Sequence, residues 1–273
     1  MVINLKKTTW DEMAEWWDKE AGENGIWHQQ HDIDPVMFKL FGTIKNKMIL
    51  EMGCGNGYFS RLLAKKGAKV IGIDLSKELI GFAIEKEKLN PLGIKYLVRD
   101  AANLHDLRSR SFDIVVANMC LMDIADAKGA VKEASRVLKK NGRVIFSITH
   151  PVFDDYAQQW TTIKEKGQKY FARAIYKYLS PAVWKFRFWA SGVKTTQYHR
   201  PLETYFRYLR NAGFLVDEFR EIATKKKIKK ATKETRGVRL RRSRYTTLIE
   251  KKMKELAGKE IPLFLVVRAV KIK

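Results

Sequence analysis

The stretch that decides the fold reads Met48-Ile49-Leu50-Glu51-Met52-Gly53-Cys54-Gly55-Asn56-Gly57. A short apolar run of the kind found in strands ends here in three glycines at alternate positions, and a helical pattern follows at 59–66. Glycines let the backbone turn tightly and leave room for a ligand beside the main chain. The start of the next helix offers unpaired N–H groups at the same point. The pattern predicts a ligand-binding turn, although glycine turns also serve packing alone.

Outward from this turn, short apolar runs alternate with helical patterns. Five strands are predicted at 48–51, 69–73, 94–98, 113–117 and 143–148, and three helices at 59–66, 77–88 and 128–139, the last stopped by a turn at 140–142. Strands rich in Val and Ile that alternate with helices indicate a parallel sheet covered on both faces. A helix at 201–211 and strands at 214–221 and 262–270 complete the pattern. The predicted fold class is α/β, with a Rossmann-like, doubly wound, mostly parallel sheet of seven strands.

Four segments follow from this pattern. Residues 1–46 are expected to be helical, because Trp10, Met13, Trp16 and Trp17 share one helical face. Residues 47–150 form the Rossmann-like core. Residues 151–200 are rich in aromatic and basic side chains and are expected to form a helical insert after the fifth strand. Residues 201–273 complete the sheet and include a basic segment at 223–262.

The formal net charge is +23, and the charge is unevenly distributed. Residues 1–40 carry four lysines and eight acids, whereas 223–262 carry fifteen basic residues and four acids, and 158–200 nine basic residues and one acid. Such a field concentrates anionic partners without identifying them. No apolar run is long enough to span a membrane and no secretory signal is evident, so with only two cysteines the chain is expected to be cytoplasmic.

Acidic residues follow the next two predicted strands. Asp74, before Leu75 and Ser76, ends the second strand, and Asp100, before Ala101, ends the third. Open α/β sheets bind ligands at the carboxyl ends of their strands, where an acid can accept hydrogen bonds from ribose hydroxyls. A carboxylate at Asp100 could likewise accept a hydrogen bond from an adenine amino group. The alternative for Asp74 is a helix N-cap, a role that Ser76 already suits.

A dinucleotide is the competing cofactor. Its fingerprint is Gly-x-Gly-x-x-Gly, whereas Gly57 follows Gly55 after one residue. The turn also offers no dedicated anion-binding side chain for a pyrophosphate. Both features favour a ligand without a pyrophosphate.

At this point the sequence resembles the class I S-adenosylmethionine-dependent methyltransferases, and within them the small-molecule, methyltransferase type 11-like branch. The resemblance is strong over residues 47–150 and looser over the final strands. It implies that the cofactor is S-adenosylmethionine, with S-adenosylhomocysteine as product, and that 1–46 acts as a lid. The cofactor-binding positions that it implies, together with the turn and its acids, are Glu51, Gly53, Gly55, Asn56, Gly57, Asp74, Leu75, Asp100, Ala101 and Asn118. Glu51 departs from the Asp that many members carry, which leaves the carboxylate on a longer arm.

A general base is needed only if the acceptor carries a proton that must leave. His150, at the end of the fifth strand, and His199, before a helix, are the candidate catalytic residues, and His28 and His31 lie in the lid-like segment. The alternative for His150 is a structural residue. Cys120 would suit attack on a pyrimidine carbon, but a small buried residue is the simpler interpretation. No histidine or acidic cluster suggests a metal.

Three function classes remain open from the sequence. The first is methyl transfer to a small organic acceptor held in an enclosed pocket. The second is methylation of tRNA or rRNA, with the basic segments at 158–200 and 223–262 binding phosphates and their aromatic residues stacking on bases. The third is a non-catalytic member that serves as a scaffold. The intact turn and acids argue against loss of cofactor binding.

Overall fold

The computed structural model describes residues 7–153, 158–187, 191–224 and 259–273. Its helices are α1 (Thr9–Ala21), α2 (Asp34–Phe41), α3 (Tyr58–Lys65), α4 (Lys77–Leu89), α5 (Ala127–Val137) and α6 (Leu202–Asn211), with a π-helical segment at Gln29–Ile33. Its strands are β1 (Met48–Met52), β2 (Lys69–Asp74), β3 (Lys95–Val98), β4 (Phe112–Asn118), β5 (Leu138–Thr149), β6 (Gln158–Glu165), β7 (Gln168–Ile175), β8 (Ala182–Arg187), β9 (Lys194–His199), β10 (Phe214–Ile222) and β11 (Phe264–Lys271).

One sheet of seven strands organises the chain, in the order β10-β11-β5-β4-β1-β2-β3. The pairs from β3 to β5 are parallel, and β11 is antiparallel to both β5 and β10. The prediction of a Rossmann-like, mostly parallel, seven-stranded sheet is therefore confirmed. Strand β2 follows β1 in the chain and pairs with one edge of β1, whereas β4 pairs with the opposite edge of β1. This reversal places a crevice at the carboxyl end of β1, where such sheets bind ligands.

Apolar clusters cover both faces of the sheet. On one face α5 and α6 contribute buried side chains such as Val131 and Leu209. On the other face α2, α3 and α4 contribute Phe41, Phe59 and Ile80. Helices on both faces are what a doubly wound sheet requires, because its central strands are apolar on both sides. The strands are thereby enclosed between two layers of helices, and the loops at their carboxyl ends are left open to a ligand.

The turn predicted at 140–142 does not separate α5 from the fifth strand. Helix α5 ends at Val137 and β5 begins at Leu138, so the helix was predicted two residues too long. Phe112 pairs with Leu138 and Ile114 with Arg143, which leaves the turn residues as a bulge inside β5. Asn141 adopts φ 61° there. Asparagine tolerates this left-handed conformation, so the turn residues fit a bulge as well as a helix stop.

The insert was predicted at the correct place but with the wrong structure. Its described residues form two antiparallel hairpins, β6–β7 and β8–β9, rather than helices. The first hairpin turns at Lys166 and Gly167, with φ values of 46° and 79°. Two consecutive positive φ values are typical of the two-residue turns whose backbone twist matches the twist of the strands that they connect. Aromatic and β-branched residues, abundant here, fit strands better than helices.

Helix α1 docks across the carboxyl edge of the sheet. Thr8 and Asp11 form a capping box at its start. The Asp11 carboxylate also accepts hydrogen bonds from the Ser76 hydroxyl at 2.6 Å and from the Glu78 backbone N–H at 3.2 Å, both at the start of α4. Further along α1, Asp18 accepts from the Asn56 amide at 2.8 Å. The helix is thus fixed to the glycine turn and to α4 at separate points.

Within the described ranges, no helix combines the length and apolar character that a bilayer crossing needs. In the same ranges no three His, Cys, Asp or Glu residues are grouped so that they could hold a metal ion. Most of the basic segment at 223–262 lies outside the described residues.

Candidate functional site

The glycine turn after β1 has the backbone that its sequence predicts. Gly53, Gly55 and Gly57 have φ values of 68°, 54° and 77°, a region that side-chain-bearing residues rarely adopt. A Cβ added at Gly53 would lie 2.6 Å from Cys120 Cβ, and one at Gly57 would lie 2.5 Å from the Tyr96 hydroxyl. The turn therefore needs glycine both for its conformation and for its close packing.

A cavity of about 410 Å³ opens over this turn. We call it the larger cavity, because a second and smaller cavity adjoins it. Of the ten predicted cofactor-binding residues, those that line it are Glu51, Gly53, Gly55, Asp74, Leu75, Asp100, Ala101 and Asn118. These residues come from the ends of β1, β2, β3 and β4. The structure thus brings together eight positions that are scattered over 68 positions of the chain.

Asn56 and Gly57 are not among the lining residues. The Asn56 side chain is fully buried and donates to Asp18 and to the Gly22 carbonyl oxygen. The Gly57 N–H donates to the Cys54 carbonyl oxygen at 2.9 Å. In this structure Gly57 therefore stabilises the turn, and Asn56 joins the turn to α1, without either residue facing the larger cavity.

The larger cavity is acidic although the chain as a whole is basic. The carboxyl groups in its lining belong to Glu51, Asp74, Asp100, Asp123 and Asp126. Arg99 is the one lysine or arginine among its described lining residues. Such a lining suits a ligand that carries positive charge and opposes a ligand with a pyrophosphate.

Glu51 is buried at the floor of the larger cavity and accepts a short hydrogen bond from the Ser60 hydroxyl. Burial raises its pKa to about 8, and the nearby carboxyls of Asp34 and Asp74 add to the rise. In the ligand-free protein, burial therefore favours the protonated form of this carboxyl. A cation beside it would favour its ionised form.

Asp74 combines support of the turn with access to the cavity. One carboxylate oxygen accepts from the Gly55 N–H at 2.9 Å and the other from the Ser76 N–H at 2.8 Å. Each oxygen keeps a further lone pair for a ligand. Burial raises the Asp74 pKa. The N-cap role falls to Ser76, whose hydroxyl accepts from the Leu79 N–H. Asp100 lies on the open side of the cavity, where it accepts from the Ala102 N–H.

Asn118, at the end of β4, belongs to a buried hydrogen-bond network. Its amide donates to Asp34 at 3.0 Å and to the Tyr58 hydroxyl at 2.8 Å, while its carbonyl oxygen accepts from the Ser147 hydroxyl at 2.6 Å. Both N–H groups of the amide are engaged in this way. In this structure Asn118 shapes the wall of the larger cavity and links it to the start of α2.

Neither of the two candidate catalytic histidines is among the described lining residues of the larger cavity or of the smaller one that adjoins it. His150 is buried, with Nε2 at 3.0 Å from a Glu221 carboxylate oxygen and Nδ1 accepting from the Val152 N–H at 3.2 Å. Burial lowers the His150 pKa. His199 is also buried, and its Nε2 lies 2.7 Å from the Tyr178 carbonyl oxygen. The hydrogen bonds fix both rings within the fold, in agreement with the structural alternative for His150.

Cys120 lines the larger cavity, yet its thiol is poorly suited to attack. The thiol donates to the Met52 carbonyl oxygen at 3.0 Å, and burial raises its pKa well above the ordinary value. A thiol that stays protonated is a weak nucleophile. The structure thus gives no support to nucleophilic attack by Cys120, which is a half-buried residue of the cavity wall.

A second cavity of about 280 Å³, the smaller cavity, adjoins the larger one. The two share the residues Trp10, Trp17, Gln29, Met119 and Asp123. The smaller cavity is otherwise lined by Ile26, His28, Ile33, Met122, Thr149, Trp184, Gln197 and Phe264. Its walls are mainly aromatic and aliphatic with a few polar groups, which is typical of small-molecule sites.

Asp123 stands at the junction of the two cavities, and the sequence did not single it out. Its Oδ1 is buried and has no hydrogen-bond partner among the described residues. Burial raises its pKa well above the ordinary value, partly opposed by a hydrogen bond from Gln197 and by the charge of Arg200. The sequence feature that could have identified Asp123 is its position shortly after β4, because residues there face the crevice of an open sheet.

Residues 50–146 match the family model described as a methyltransferase domain. The chain is 31% identical over 158 residues to the ubiquinone biosynthesis O-methyltransferase of Hydrogenovibrio crunogenus, a match that covers 56% of this chain and 65% of that protein. It is 32% identical over 149 residues to the protein of the same name from Coxiella burnetii, covering 54% of this chain and 62% of that protein. The chain thus spans less than two thirds of the length of these curated relatives.

Among solved structures, the S-adenosylmethionine-dependent methyltransferase from Mesorhizobium loti superposes with a TM-score of 0.64 at 24% identity, covering 86% of this chain and 96% of that one. At this identity the likeness concerns the fold. It confirms the predicted fold, and the domain match over residues 50–146 agrees with the resemblance noted from the glycine turn and its acids.

Proposed function

We propose that this chain, whose residues 50–146 form a methyltransferase domain of the class I fold, transfers a methyl group from S-adenosylmethionine to a small organic acceptor. One observation carries the proposal most directly. The acidic cavity over the glycine turn adjoins a second, mainly apolar cavity across a shared wall. A cofactor in the first and an acceptor in the second would meet at that wall.

The residues around the larger cavity fit S-adenosylmethionine. This cofactor carries a sulfonium and an ammonium group, and the lining offers five carboxyl groups against one arginine. We assign the ribose hydroxyls to Asp74, the adenine to Asp100 and Ala101, and the methionine end to Glu51 and the Gly53–Gly55 backbone. Leu75 would pack against the nucleoside, and Asn118 would form the wall near the transferred group.

When bound, the cofactor would supply a methyl group attached to positively charged sulfur. Such a transfer is an in-line displacement, so placing the reactants and excluding water supply much of the acceleration. Trp10, Trp17 and Met119 form the apolar part of the shared wall and would exclude water from it. We propose that residues 1–46 act as the lid and that 151–200 shape the acceptor side, because both segments contribute to the smaller cavity.

The smaller cavity favours a compact organic acceptor over a polymer. Its volume is about 280 Å³, which is the size of a small molecule. The curated relatives are named as O-methyltransferases of ubiquinone biosynthesis, which supports an oxygen-bearing small molecule as the class of acceptor. Both cysteines are free, which fits the proposed cytoplasmic setting.

Calorimetric titration with S-adenosylmethionine tests the cofactor assignment. The Asp74→Ala variant should weaken binding by about tenfold or more, because it removes charge-assisted hydrogen bonds. Glu203→Ala is the matched control, since that carboxylate is exposed in a surface pair with Arg207. Unchanged affinity in Asp74→Ala would refute the ribose assignment. Mass spectrometry of cell extract incubated with labelled cofactor would then identify the methylated product.

A further inference from the structure

His28 lines the smaller cavity and is held by a buried carboxylate. It immediately precedes the π-helical segment, and its Nδ1 lies 2.9 Å from Oδ2 of Asp32. The Asp32 side chain is fully buried. The hydroxyl of Thr224, which follows β10 in the chain, donates to the same Asp32 oxygen at 2.8 Å. An ionised carboxylate oxygen can only accept hydrogen bonds, so the Nδ1 atom beside it must be the donor. The neutral His28 ring therefore carries its proton on Nδ1.

This arrangement leaves the other ring nitrogen of His28 with its lone pair. No hydrogen-bond partner of Nε2 is found among the residues that the structure describes. The ring packs edge-on against Trp27 and tilted against Phe264, with centroid separations of 5.2 Å in both cases. Nδ1 is directed to Asp32, so the edge that carries Nε2 is the one available to the cavity. A histidine whose far nitrogen is fixed by a carboxylate is the arrangement of a general base.

The other candidate bases are less suitable. His150 and His199 are buried and are not among the described lining residues of either cavity, and the Cys120 thiol donates to a backbone oxygen. Asp123 faces the junction, but its carboxyl group already accepts a hydrogen bond from Gln197, and burial raises its pKa well above the ordinary value. Asp123 is therefore better placed to form a hydrogen bond with the acceptor than to remove its proton.

We propose that the His28–Asp32 pair is the general base of this site and that the acceptor is a hydroxyl group on a small, mainly apolar ring. The proposal rests on the methyl-transfer function proposed above. The hydroxyl proton passes to His28 Nε2 as the oxygen lone pair forms the new bond to the methyl carbon. The carbon–sulfur bond breaks and its electron pair returns to sulfur, which becomes a neutral thioether. Asp32 stabilises the resulting imidazolium, which then loses its proton to water.

The aromatic walls support the ring in this assignment. Trp184 and Phe264 line the smaller cavity, and Trp10 and Trp17 close it toward the cofactor side. Aromatic rings pack favourably on such walls at offset or edge-on geometries. A planar phenol would therefore contact apolar surface on its faces while its hydroxyl meets His28.

The decisive variant is His28→Asn, with His31→Asn as its matched control. His31 lies three residues away, bonds through Nδ1 to the Trp27 carbonyl oxygen and is not part of the described lining. Catechol and nitrocatechol serve as probes, because the nitro group makes one hydroxyl acidic enough to ionise without a base. His28→Asn should lower kcat for catechol about 100-fold or more, the usual contribution of a general base. The loss on nitrocatechol should be much smaller, and His31→Asn should behave as wild type on both.

Two further measurements separate the possible failures. Calorimetry with S-adenosylhomocysteine should give the same Kd for wild type and His28→Asn, and absence of binding by wild type would count against the proposed function itself. Nitrogen NMR of labelled histidine in the cofactor-free protein should show His28 protonated on Nδ1, and Asp32→Asn should shift the proton toward Nε2. Equal losses on both probes, transfer by wild type to amines but to neither phenol, or an Nε2-protonated His28 would each overturn the base assignment.

Discussion

At the scale of single residues, Gly53 shows why the turn has this sequence. Its φ of 68° and the 2.6 Å separation that an added Cβ would have from Cys120 Cβ exclude any side chain without distortion. Gly53→Ala should therefore lower the free energy of unfolding by about 1–3 kcal/mol and weaken cofactor binding, because the turn backbone must shift. Thermal denaturation and calorimetry measure the two effects.

Gly81 provides the matched control for that substitution. It lies inside α4, and a Cβ added there meets nothing within 4 Å. Gly81→Ala should raise the free energy of unfolding by about 0.4–1 kcal/mol, because alanine restricts the unfolded chain. Equal effects of the two substitutions would contradict the role given to the Gly53 conformation.

Glu51 makes a pH-dependent contribution to stability. Its carboxyl is ionised above about 4.5 in the unfolded chain, whereas burial raises its pKa to about 8 in the folded protein. Between these values the folded state binds more protons, so this group lowers stability as the pH rises. When the pH rises from about 4.5 to about 8, the Tm of the cofactor-free Glu51→Gln variant should therefore fall less than the Tm of wild type. Parallel pH dependences of the two proteins would show that Glu51 is already ionised in the fold.

At this scale the sequence predicted the residues that lie in the turn or directly follow strands. Asp74 and Asp100 were found because parallel strands bring their carboxyl ends to one edge. Asp123 and His28 were not assigned a role in advance, because they lie in irregular segments without a periodic pattern. The places of such segments depend on packing between distant elements, here between Asp32 and Thr224.

At the scale of elements, Arg200 fixes the loop between β4 and α5. Its guanidinium donates to the carbonyl oxygens of Ile124 at 2.7 Å and Ala125 at 2.8 Å, and both residues line the larger cavity. Both bonds come from one terminal guanidinium nitrogen, and the other terminal nitrogen donates to the Leu121 carbonyl oxygen at 3.3 Å. Lysine has a single nitrogen and cannot make all three hydrogen bonds from the same position. Arg200→Lys should lower the free energy of unfolding by about 1–3 kcal/mol and weaken cofactor binding.

Chemical denaturation and calorimetry would measure these changes. Arg207→Lys is the control, because that arginine is 58% exposed in a surface pair with Glu203. It should change stability by less than about 1 kcal/mol. If both substitutions have the same small effect, the loop does not depend on Arg200.

The elements of the core were predictable and those of the insert were not. Buried strands such as β1 and β4 have continuous apolar runs, which set them apart from the amphipathic helices between them. In the insert, aromatic and basic residues are mixed without a clear period. The sequence therefore showed no strand pattern there, and helices were predicted from composition alone. The turn at Lys166 and Gly167 is a hairpin signal, although a weaker one than Asn-Gly.

At the scale of the whole molecule, the net charge of +23 coexists with an acidic cavity. Surface charge of this size attracts nucleic acids whatever the enzyme's substrate. We expect transfer RNA to bind weakly, with an affinity that falls steeply as salt rises, and without becoming methylated. Binding titrations over a salt series and mass spectrometry of the recovered RNA would test this. Methylated RNA would favour the nucleic-acid alternative over a small acceptor.

The tryptophans shared by the two cavities have an optical consequence. Trp10 and Trp17 border both spaces, whereas Trp184 borders the smaller one alone. Indole emission depends on the polarity around the ring, so each binding event should alter the intrinsic fluorescence of the protein. Comparison of wild type with Trp184→Phe would separate the signal of the acceptor from that of the cofactor. These three tryptophans thus provide a label-free reporter of the order in which the two ligands bind.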